Sequence, residues 1–286
     1  MTIKLAVVCV FAGALFGADT GFNQDGTGKL LPKGAWRVTA KLFDGRYAVV
    51  VPGNPNAYFE QRIQTLVFKG CFGLLANLEA CGEAAGRRDG QSVGFGYSAS
   101  EFKYRAFYKP YEGGEALLAI SAKAWSPFTE SYPLALYGNG GQQGSAMVRY
   151  GAAYEPKLTA FISQGKVAAQ AFVSYRVNTG WGSFTPGNSA CGGASVYFSP
   201  QDIRRPVTLS VASDVWSCNQ SGSMLSGQVF ENGRRVAGVG PALILSLGPN
   251  VTIKAGFGIL TSKPAGIINL NADFNDGYSF AISMRK

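Results

Sequence analysis

The chain of 286 residues contains no histidine. Without an imidazole it cannot form a Ser-His-Asp or Cys-His hydrolase, a histidine-ligated zinc site or a histidine acid–base step. Paired carboxylates could still act as acid and base, but the 17 acidic residues contain no recognisable short carboxylate motif. We therefore expect a protein that is not an enzyme, with no catalytic residues, no cofactor and no metal site.

Charge and long apolar runs are also scarce. Only 15% of the residues are charged, against about 25% in typical soluble domains. No apolar run approaches the roughly 20 residues of a transmembrane helix. Glycine is abundant at 38 residues and aromatics reach 13%, which suits many strands and turns. If this chain enters a membrane, it must do so as a closed β-barrel, because only helices and barrels satisfy their backbone in lipid.

Cysteine is sparse, at five residues, and Cys9 falls within the N-terminal apolar run. In an exported chain the other four could form two disulfides, with three possible connectivities. We favour the local pairs Cys71–Cys81 and Cys191–Cys218, with free buried thiols as the alternative. No CxxC pair is present, which disfavours metal binding and thioredoxin-like chemistry.

The first 18 residues, MTIKLAVVCVFAGALFGA, combine one lysine, an apolar run and small residues. This order is typical of a secretory signal peptide, and a polar, turn-rich stretch follows at residues 19–33. The alternative is a buried first strand or helix. We predict a signal peptide at residues 1–18 and a single β-barrel domain at residues 19–286, because no repeat, linker or change in composition divides the remainder.

Residues 166–177, KVAAQAFVSYRV, show the clearest strand pattern in the chain. Odd positions are apolar or aromatic, whereas Gln170, Ser174 and Arg176 occupy even positions. Successive side chains of a strand point to opposite faces, so this strand has one apolar and one wetter face. Twelve residues exceed the usual strand of about 5–6 and suffice for the roughly 9–11 of a transmembrane strand.

Comparable alternation recurs along the chain and predicts about 12 strands, with 10 and 14 as the bounds. We predict solvated loops at residues 81–90, 126–144 and 179–193, and long and short connections roughly alternate. That layout is typical of outer-membrane barrels, whereas a soluble β-sandwich usually has shorter strands. The predicted fold is all-β, an antiparallel up-and-down transmembrane β-barrel located in the outer membrane.

If the apolar parity faces lipid, the opposite parity faces the lumen. The polar residues Gln170 and Ser174 then line the channel, and Glu101 and Asp214 are the acidic members. Such a basic interior would attract anions. Alternatively, each cation snorkels towards headgroups or pairs with acids at the rim. The predicted basic lining consists of Arg37, Lys41, Lys103, Arg105, Arg149, Arg176 and Lys254, with Arg285 near the chain end.

The formal net charge of +9 is compatible with nucleic acid, an anionic membrane surface or anionic solutes as partners. No run of Lys and Arg is longer than two residues, which argues against a nucleic-acid-binding arm. We expect outer-membrane lipid, a small-molecule solute and the barrel-assembly machinery as partners, and no nucleic acid.

Four stretches carry a family resemblance: LLPKGAWRVTAKL at residues 30–42, SEFKYRAF at 100–107, KAWSPF with GNGGQQG within 123–144, and VTIKAGFGILTS at 251–262. Together they resemble the bacterial outer-membrane transporter family known as the meta-pathway phenol-degradation proteins. The resemblance implies an outer-membrane barrel that passes hydrophobic or aromatic compounds and has no catalytic residues. Two departures are Ala99-Ser100-Glu101 in place of a Gly-Asp pair, and a chain end, Met284-Arg285-Lys286, that lacks a terminal aromatic residue.

The predicted function is that of an outer-membrane channel for passive uptake of small anionic or aromatic solutes through a basic lumen. The alternative is a non-transporting surface barrel or sandwich with a structural or adhesive role.

Overall fold

A computed structural model describes residues 29–51, 54–89, 92–126, 128–135, 143–180, 184–185, 187–200, 207–225, 227–231, 234–247, 250–260 and 276–286. The predicted signal peptide lies outside these residues. Within them, no helix is long and apolar enough to cross a membrane.

Seventeen strands account for most of the described chain. Their bounds are β1 Trp36–Val51, β2 Asn54–Leu75, β3 Leu78–Asp89, β4 Ser92–Tyr111, β5 Gly114–Trp125, β6 Phe128–Ala135, β7 Gln143–Tyr150, β8 Ala153–Gln164, β9 Val167–Asn178, β10 Phe184–Thr185, β11 Ser189–Phe198, β12 Val207–Gln220, β13 Ser223–Leu225, β14 Gln228–Glu231, β15 Arg234–Leu247, β16 Val251–Leu260 and β17 Asp276–Arg285.

Twelve of these strands form a closed barrel in the order β1-β17-β16-β15-β12-β11-β9-β8-β5-β4-β3-β2. Every neighbouring pair is antiparallel, and the first and last strands close the cylinder, with Arg37 opposite Arg285 and Phe43 opposite Ser279. The remaining strands form a two-stranded sheet, β6-β7, and a three-stranded sheet, β10-β13-β14. The prediction of an all-β antiparallel barrel of about 12 strands is therefore confirmed.

Among the described strands, the two small sheets lie at one end of the barrel and so distinguish it from the other. At the end that we call the short-turn rim, β2–β3, β4–β5 and β8–β9 are joined through two residues each. Gly113 and Gly165 adopt positive φ there, at 77° and 56°, a conformation that glycine reaches without steric cost. The opposite end, the long-connection rim, bears the two small sheets.

The outer face of the barrel is apolar. In β9, exposed residues such as Val173, which is 59% exposed, alternate with buried inward residues. A continuous apolar surface of this kind is unfavourable in water but favourable in contact with lipid. We call this surface the apolar belt; it includes Val38, Phe68, Phe72, Phe102, Ile120, Leu158, Ile162, Val173, Val196, Leu209, Val211 and Leu243.

Several details of the predicted layout were wrong. Residues 81–90 are not a loop, since β3 continues to Asp89, and residues 126–144 contain β6 and the start of β7. Residues 179–193 contain β10 and the start of β11. These strands are rich in glycine or interrupted by proline, so their sequences resemble loops even though barrel pairing or hairpin formation imposes strand geometry.

Strict alternation along the sequence would place Tyr97 on the same face as Phe95, but a register shift in β4 separates them. Ala85 pairs with Tyr97 and Gly86 with Phe95, so one extra residue is inserted between them. A β-bulge of this kind reverses which face the following residues occupy. Phe95 is exposed on the outside, whereas the Tyr97 hydroxyl donates a hydrogen bond of 2.6 Å to Glu83 Oε1.

Candidate channel interior

Most of the predicted lining residues occupy inward positions of the barrel. Arg37 and Lys41 lie on β1, Lys103 on β4, and Arg176 on β9, and all four are buried. Gln170 and Ser174 of β9 and Lys254 of β16 also face inward, the first two buried and Lys254 half-buried. The period-two pattern therefore assigned these faces consistently.

Arg105 and Arg149 are placed differently from the other lining candidates. Arg105 lies near the short-turn rim, where its Nη2 donates a 2.8 Å hydrogen bond to the carbonyl oxygen of Ala76 and its guanidinium lies 4.8 Å from the ring centroid of Tyr108. The backbone of Arg149 belongs to β7 and pairs with Thr129 of β6, in the two-stranded sheet rather than in the barrel wall. Arg105 therefore lies at the rim of the barrel, and the backbone of Arg149 lies outside the twelve-stranded wall.

Glu79 is the centre of the interior charge network. Its side chain is fully buried and lies 3.1 Å from Arg37 Nη2 and 3.6 Å from Lys103 Nζ, both through Oε1. Its other oxygen accepts a 2.9 Å hydrogen bond from the backbone N–H of Leu31. One carboxylate thus joins β1, β3, β4 and the segment before β1, as a buried charge requires partners.

Other interior cations also have a carboxylate partner on a nearby strand. Lys69 Nζ lies 2.7 Å from Glu101, and Lys123 Nζ lies 2.9 Å from Glu83. Arg176 donates from Nε and Nη2 to one oxygen of Glu155, at 3.0 and 2.8 Å. The sixth member of the network is the pair Lys254–Asp214, with Nζ 3.4 Å from Oδ2.

Glu79, Glu83 and Glu155 are interior residues that the sequence reasoning missed. Glu83 fell in the wrongly predicted loop, and Glu155 precedes Pro156 in a stretch between two predicted strands. Glu79 lies in a stretch with weak alternation. In the structure Glu79 lies directly opposite Lys103 across β3 and β4, where opposite charges stabilise a sheet, but sequence periodicity does not reveal which residues are opposite each other.

Several of the interior cations also lie over aromatic rings. The Arg176 guanidinium lies 3.9 Å from the Trp125 ring centroid, and Lys123 Nζ lies 4.7 Å from the same ring. Lys157 Nζ lies 4.6 Å from the ring centroid of Phe172. These distances fall within the range of cation–π attraction. Trp125, at the end of β5, therefore joins two charged pairs near the long-connection rim.

The interior has two unlike sides. We call the inward face of β1–β5 the charged wall, since it bears Arg37, Lys41, Lys69, Glu79, Glu83, Glu101, Lys103 and Lys123. We call the inward face of β11, β12 and β15–β17 the hydroxyl wall, where hydroxyl and small side chains surround the pair Lys254–Asp214. Its hydroxyl residues include Ser195, Thr208, Ser210, Ser246 and Thr252.

The segment before β1 crosses the interior near the short-turn rim. Leu31 packs on Cys71 and Cys81 of β2 and β3. Lys29 forms an ion pair with Glu115 at the start of β5, and its Nζ lies 5.4 Å from the Phe161 ring centroid of β8. β8 is five strands from β1 around the ring, so these contacts span most of the lumen.

Gly73 allows this segment to approach the wall. Gly34 N–H donates to the Gly73 carbonyl at 2.8 Å, and Gly73 N–H donates to the Ala35 carbonyl at 2.9 Å. A Cβ at position 73 would collide with the backbone of Pro32. Glycine is the residue that permits such close backbone contact.

The structure joins Cys71 to Cys81 and Cys191 to Cys218. Each disulfide links residues that are directly opposite on neighbouring strands, β2–β3 and β11–β12. Cys71, Glu79 and Cys81 place their ligand atoms within 4.8 Å of one another. Thiolates are the form of cysteine that binds metals, so the disulfide removes both sulfurs as ligands, and the remaining member of this group, Glu79, is ion-paired with Arg37 and Lys103.

A closed antiparallel barrel with an apolar outer belt and a charged interior is the architecture of outer-membrane β-barrels. Comparison with solved structures agrees with that class. The chain is similar in fold to the COG4313 outer membrane channel from Pseudomonas putida F1, with a TM-score of 0.56, 8% sequence identity and coverage of 91% of this chain and 98% of the other.

Two autotransporter domains were also found. The β domain of BrkA from Bordetella has a TM-score of 0.49 at 12% identity, covering 88% of this chain and 99% of the other. The translocator domain of NalP from Neisseria meningitidis has a TM-score of 0.49 at 12% identity, covering 89% and 88%. No protein-family model and no curated protein matches the sequence.

Proposed function

We propose that this protein is an outer-membrane channel for small solutes and that its interior prefers anions to cations. The observation that carries the proposal is the combination of a closed barrel, an apolar belt outside and a line of charged residues inside. A barrel that needed only to fill its interior could do so with apolar side chains, which cost less to bury than charges. No catalytic step is part of this proposal.

The preference for anions rests on the balance of charge inside the barrel. The described inward positions carry more basic than acidic residues, and the Nζ atom of one of the basic residues, Lys157, lies 4.6 Å from the Phe172 ring centroid. Ion pairing neutralises much of this charge locally, so the preference should be modest. The basic residues are Arg37, Lys41, Lys69, Lys103, Lys123, Lys157, Arg176 and Lys254; the acidic residues are Glu79, Glu83, Glu101, Glu155 and Asp214.

The test is the reversal potential of the purified protein in a planar bilayer under a potassium chloride gradient. We expect chloride to be more permeant than potassium, and Lys157→Gln to reduce that ratio by removing one interior charge. Lys109→Gln, which removes the same charge from an exposed position at the short-turn rim, serves as the matched control. Preference for potassium in the wild type would refute the proposed selectivity.

A non-transporting, filled barrel is the second candidate function. Nearly every inward side chain of the charged wall is buried, and the segment at residues 29–35 crosses the lumen. Efflux of solutes from proteoliposomes separates the two candidates, because a filled barrel releases none. The solute set should include chloride, a neutral sugar and a phenol, the last being the class that the sequence resemblance implies. Heat-modifiable migration on gels checks that the barrel is folded in each preparation.

A further inference from the structure

Basic residues are concentrated at the short-turn rim. Lys33 precedes β1, Lys109 lies near the end of β4, Lys166 lies in the β8–β9 turn and Lys286 follows β17, and all four are exposed. Arg105 and Arg285 are half-buried at the same rim. Of the described acidic residues there, Glu112 is exposed, whereas Glu115 is paired with Lys29. This rim therefore has a strong excess of positive charge.

These cations form a ring rather than one patch. Lys286 lies beside Trp36, to which it is joined by two backbone hydrogen bonds of 2.9 Å at the β1–β17 closure. Lys109 lies on β4, and Lys166 lies between β8 and β9, five strands from β1 around the barrel. A partner that met only one side of the rim would not use all of them. A partner that surrounds the barrel would contact all of them.

The apolar belt extends to the strand ends at this rim. Val167 is the first residue of β9, Phe198 is the last of β11 and Leu247 is the last of β15, and all three are exposed. Lys166 is adjacent to Val167 in the chain. Since the belt marks the hydrocarbon region, the neighbouring cations lie at the depth of the lipid headgroups, within reach of a flexible lysine side chain.

The opposite rim carries charges of both signs. There Arg88 is followed by Asp89 at the end of β3, and Glu231 ends β14 shortly before Arg234 begins β15. Asp276 begins β17 at the same rim and is opposite Arg46 of β1. Among the described residues, the excess of basic over acidic residues is therefore larger at the short-turn rim, which in outer-membrane barrels faces the periplasm.

We propose that the ring formed by Lys109, Lys166 and Lys286 binds anionic phospholipid headgroups in the leaflet that faces the periplasm. The ligand chemistry is a lipid phosphate that retains its negative charge, with phosphatidylglycerol as the probe. Each lysine or arginine near an anionic surface strengthens association by up to about fivefold. The proposal holds whether or not the barrel conducts solutes.

The experiment measures lipid selectivity in proteoliposomes of phosphatidylcholine. Spin-labelled phosphatidylglycerol or spin-labelled phosphatidylcholine is added in trace amounts, and the motionally restricted fraction gives the relative association of each lipid with the barrel. The wild type should prefer the anionic lipid. The triple variant K109Q/K166Q/K286Q should bring the preference close to one, and R88Q/R234Q/R235Q, with the same loss of charge at the long-connection rim, should retain it.

Three results would overturn the proposal: equal association of both lipids with the wild type, loss of selectivity in the control triple variant instead, or selectivity that survives about 1 M salt, where the Debye length is about 3 Å. Co-sedimentation with purified peptidoglycan that depends on Lys109, Lys166 and Lys286, without any lipid selectivity, would assign the ring to a different anionic partner and would also overturn it. Heat-modifiable gel migration shows that each variant is folded.

Discussion

The two walls of the interior achieve burial in different ways. On the charged wall, side chains bridge strands: Glu79 alone connects Arg37 of β1 with Lys103 of β4. On the hydroxyl wall, small residues allow tight packing, and Ala212, Ala242 and Ile244 belong to one buried cluster. The charged wall depends on complete pairing, because an unpaired buried charge is costly. The hydroxyl wall depends on volume, because a close-packed interior tolerates neither gaps nor added methyl groups.

Of the single substitutions, breaking the charged wall at its centre should have the largest effect. Glu79→Gln keeps the shape of the side chain but removes the negative charge that Arg37 and Lys103 share. We expect a loss of about 3 kcal/mol in the free energy of unfolding. The measurement is urea unfolding in phospholipid vesicles, followed by tryptophan fluorescence.

Glu112→Gln is the matched control for this change, because Glu112 is exposed in the β4–β5 turn. Loss of the Glu112 charge should leave the free energy of unfolding within about 0.5 kcal/mol of the wild-type value. Equal effects of the two substitutions would show that Glu79 is no more important than a surface carboxylate, and the contrast between the walls would lose its basis.

Each wall contains one disulfide, which permits a direct comparison. Cys71–Cys81 in the charged wall closes a separation of 10 residues, and Cys191–Cys218 in the hydroxyl wall closes one of 27. If the main effect is on the unfolded chain, removing the first costs about 2–3 kcal/mol and removing the second about 3–4 kcal/mol. Paired Cys→Ser variants, unfolded as above, give the two values.

The order of these two disulfide effects is the informative result. A greater loss for Cys71→Ser/Cys81→Ser would mean that its native contacts, including the packing of Leu31 against both cysteines, outweigh the difference in loop length. The wild type under reducing conditions should lose about as much stability as a variant that lacks both disulfides.

Overfilling the hydroxyl wall should have an intermediate effect. A Cβ at Gly238 of β15 would lie 2.5 Å from Trp216 Cζ2 and 2.8 Å from the Ile259 carbonyl oxygen. Gly238→Ala should therefore cost about 1–3 kcal/mol. At Gly82 of β3 an added Cβ meets nothing within 4 Å, so Gly82→Ala should be close to neutral. Equal unfolding midpoints for the two variants would indicate that Trp216 moves aside freely.

The sequence predicted the barrel better than it predicted the interior. Strand periodicity was clear in β9, where all six odd positions are apolar or aromatic and four of the six even positions are polar, which is enough to assign both faces. Lining residues such as Arg37, Lys41 and Arg176 followed from the same parity. A strand count near 12 followed because the connections are marked by glycine, proline and asparagine.

Sequence periodicity does not determine the register between neighbouring strands. Periodicity shows which face a residue occupies but not which residue lies opposite, so the partnership of Glu79 with Lys103 could not be derived. The bulge between Phe95 and Tyr97 has no apolar or polar signature of its own and reversed the assignment of Tyr97. Tertiary pairing also decided the strand character of β3, whose glycines and arginines resemble a loop.

The smallest expected effect comes from removing a single threonine hydroxyl from each wall. Thr39 Oγ1 lies 2.9 Å from Ser283 Oγ at the β1–β17 closure, whereas the buried hydroxyl of Thr208 has no hydrogen-bond partner among the described residues. Thr→Val conserves volume and removes the hydroxyl. Thr39→Val should cost about 1 kcal/mol, since it leaves Ser283 without that bond, and Thr208→Val should be neutral or stabilising by up to about 1 kcal/mol.

Unfolding midpoints of these two variants, measured in the same vesicles, give the comparison between the hydroxyls. If Thr208→Val proves more costly than Thr39→Val, then water or a solute bonds the Thr208 hydroxyl in the native barrel. The hydroxyl wall would then be a hydrated surface rather than a packed one. In that case Ser210 and Ser246, whose hydroxyls are likewise buried and unpaired within the described chain, should respond to Ser→Ala in the same direction.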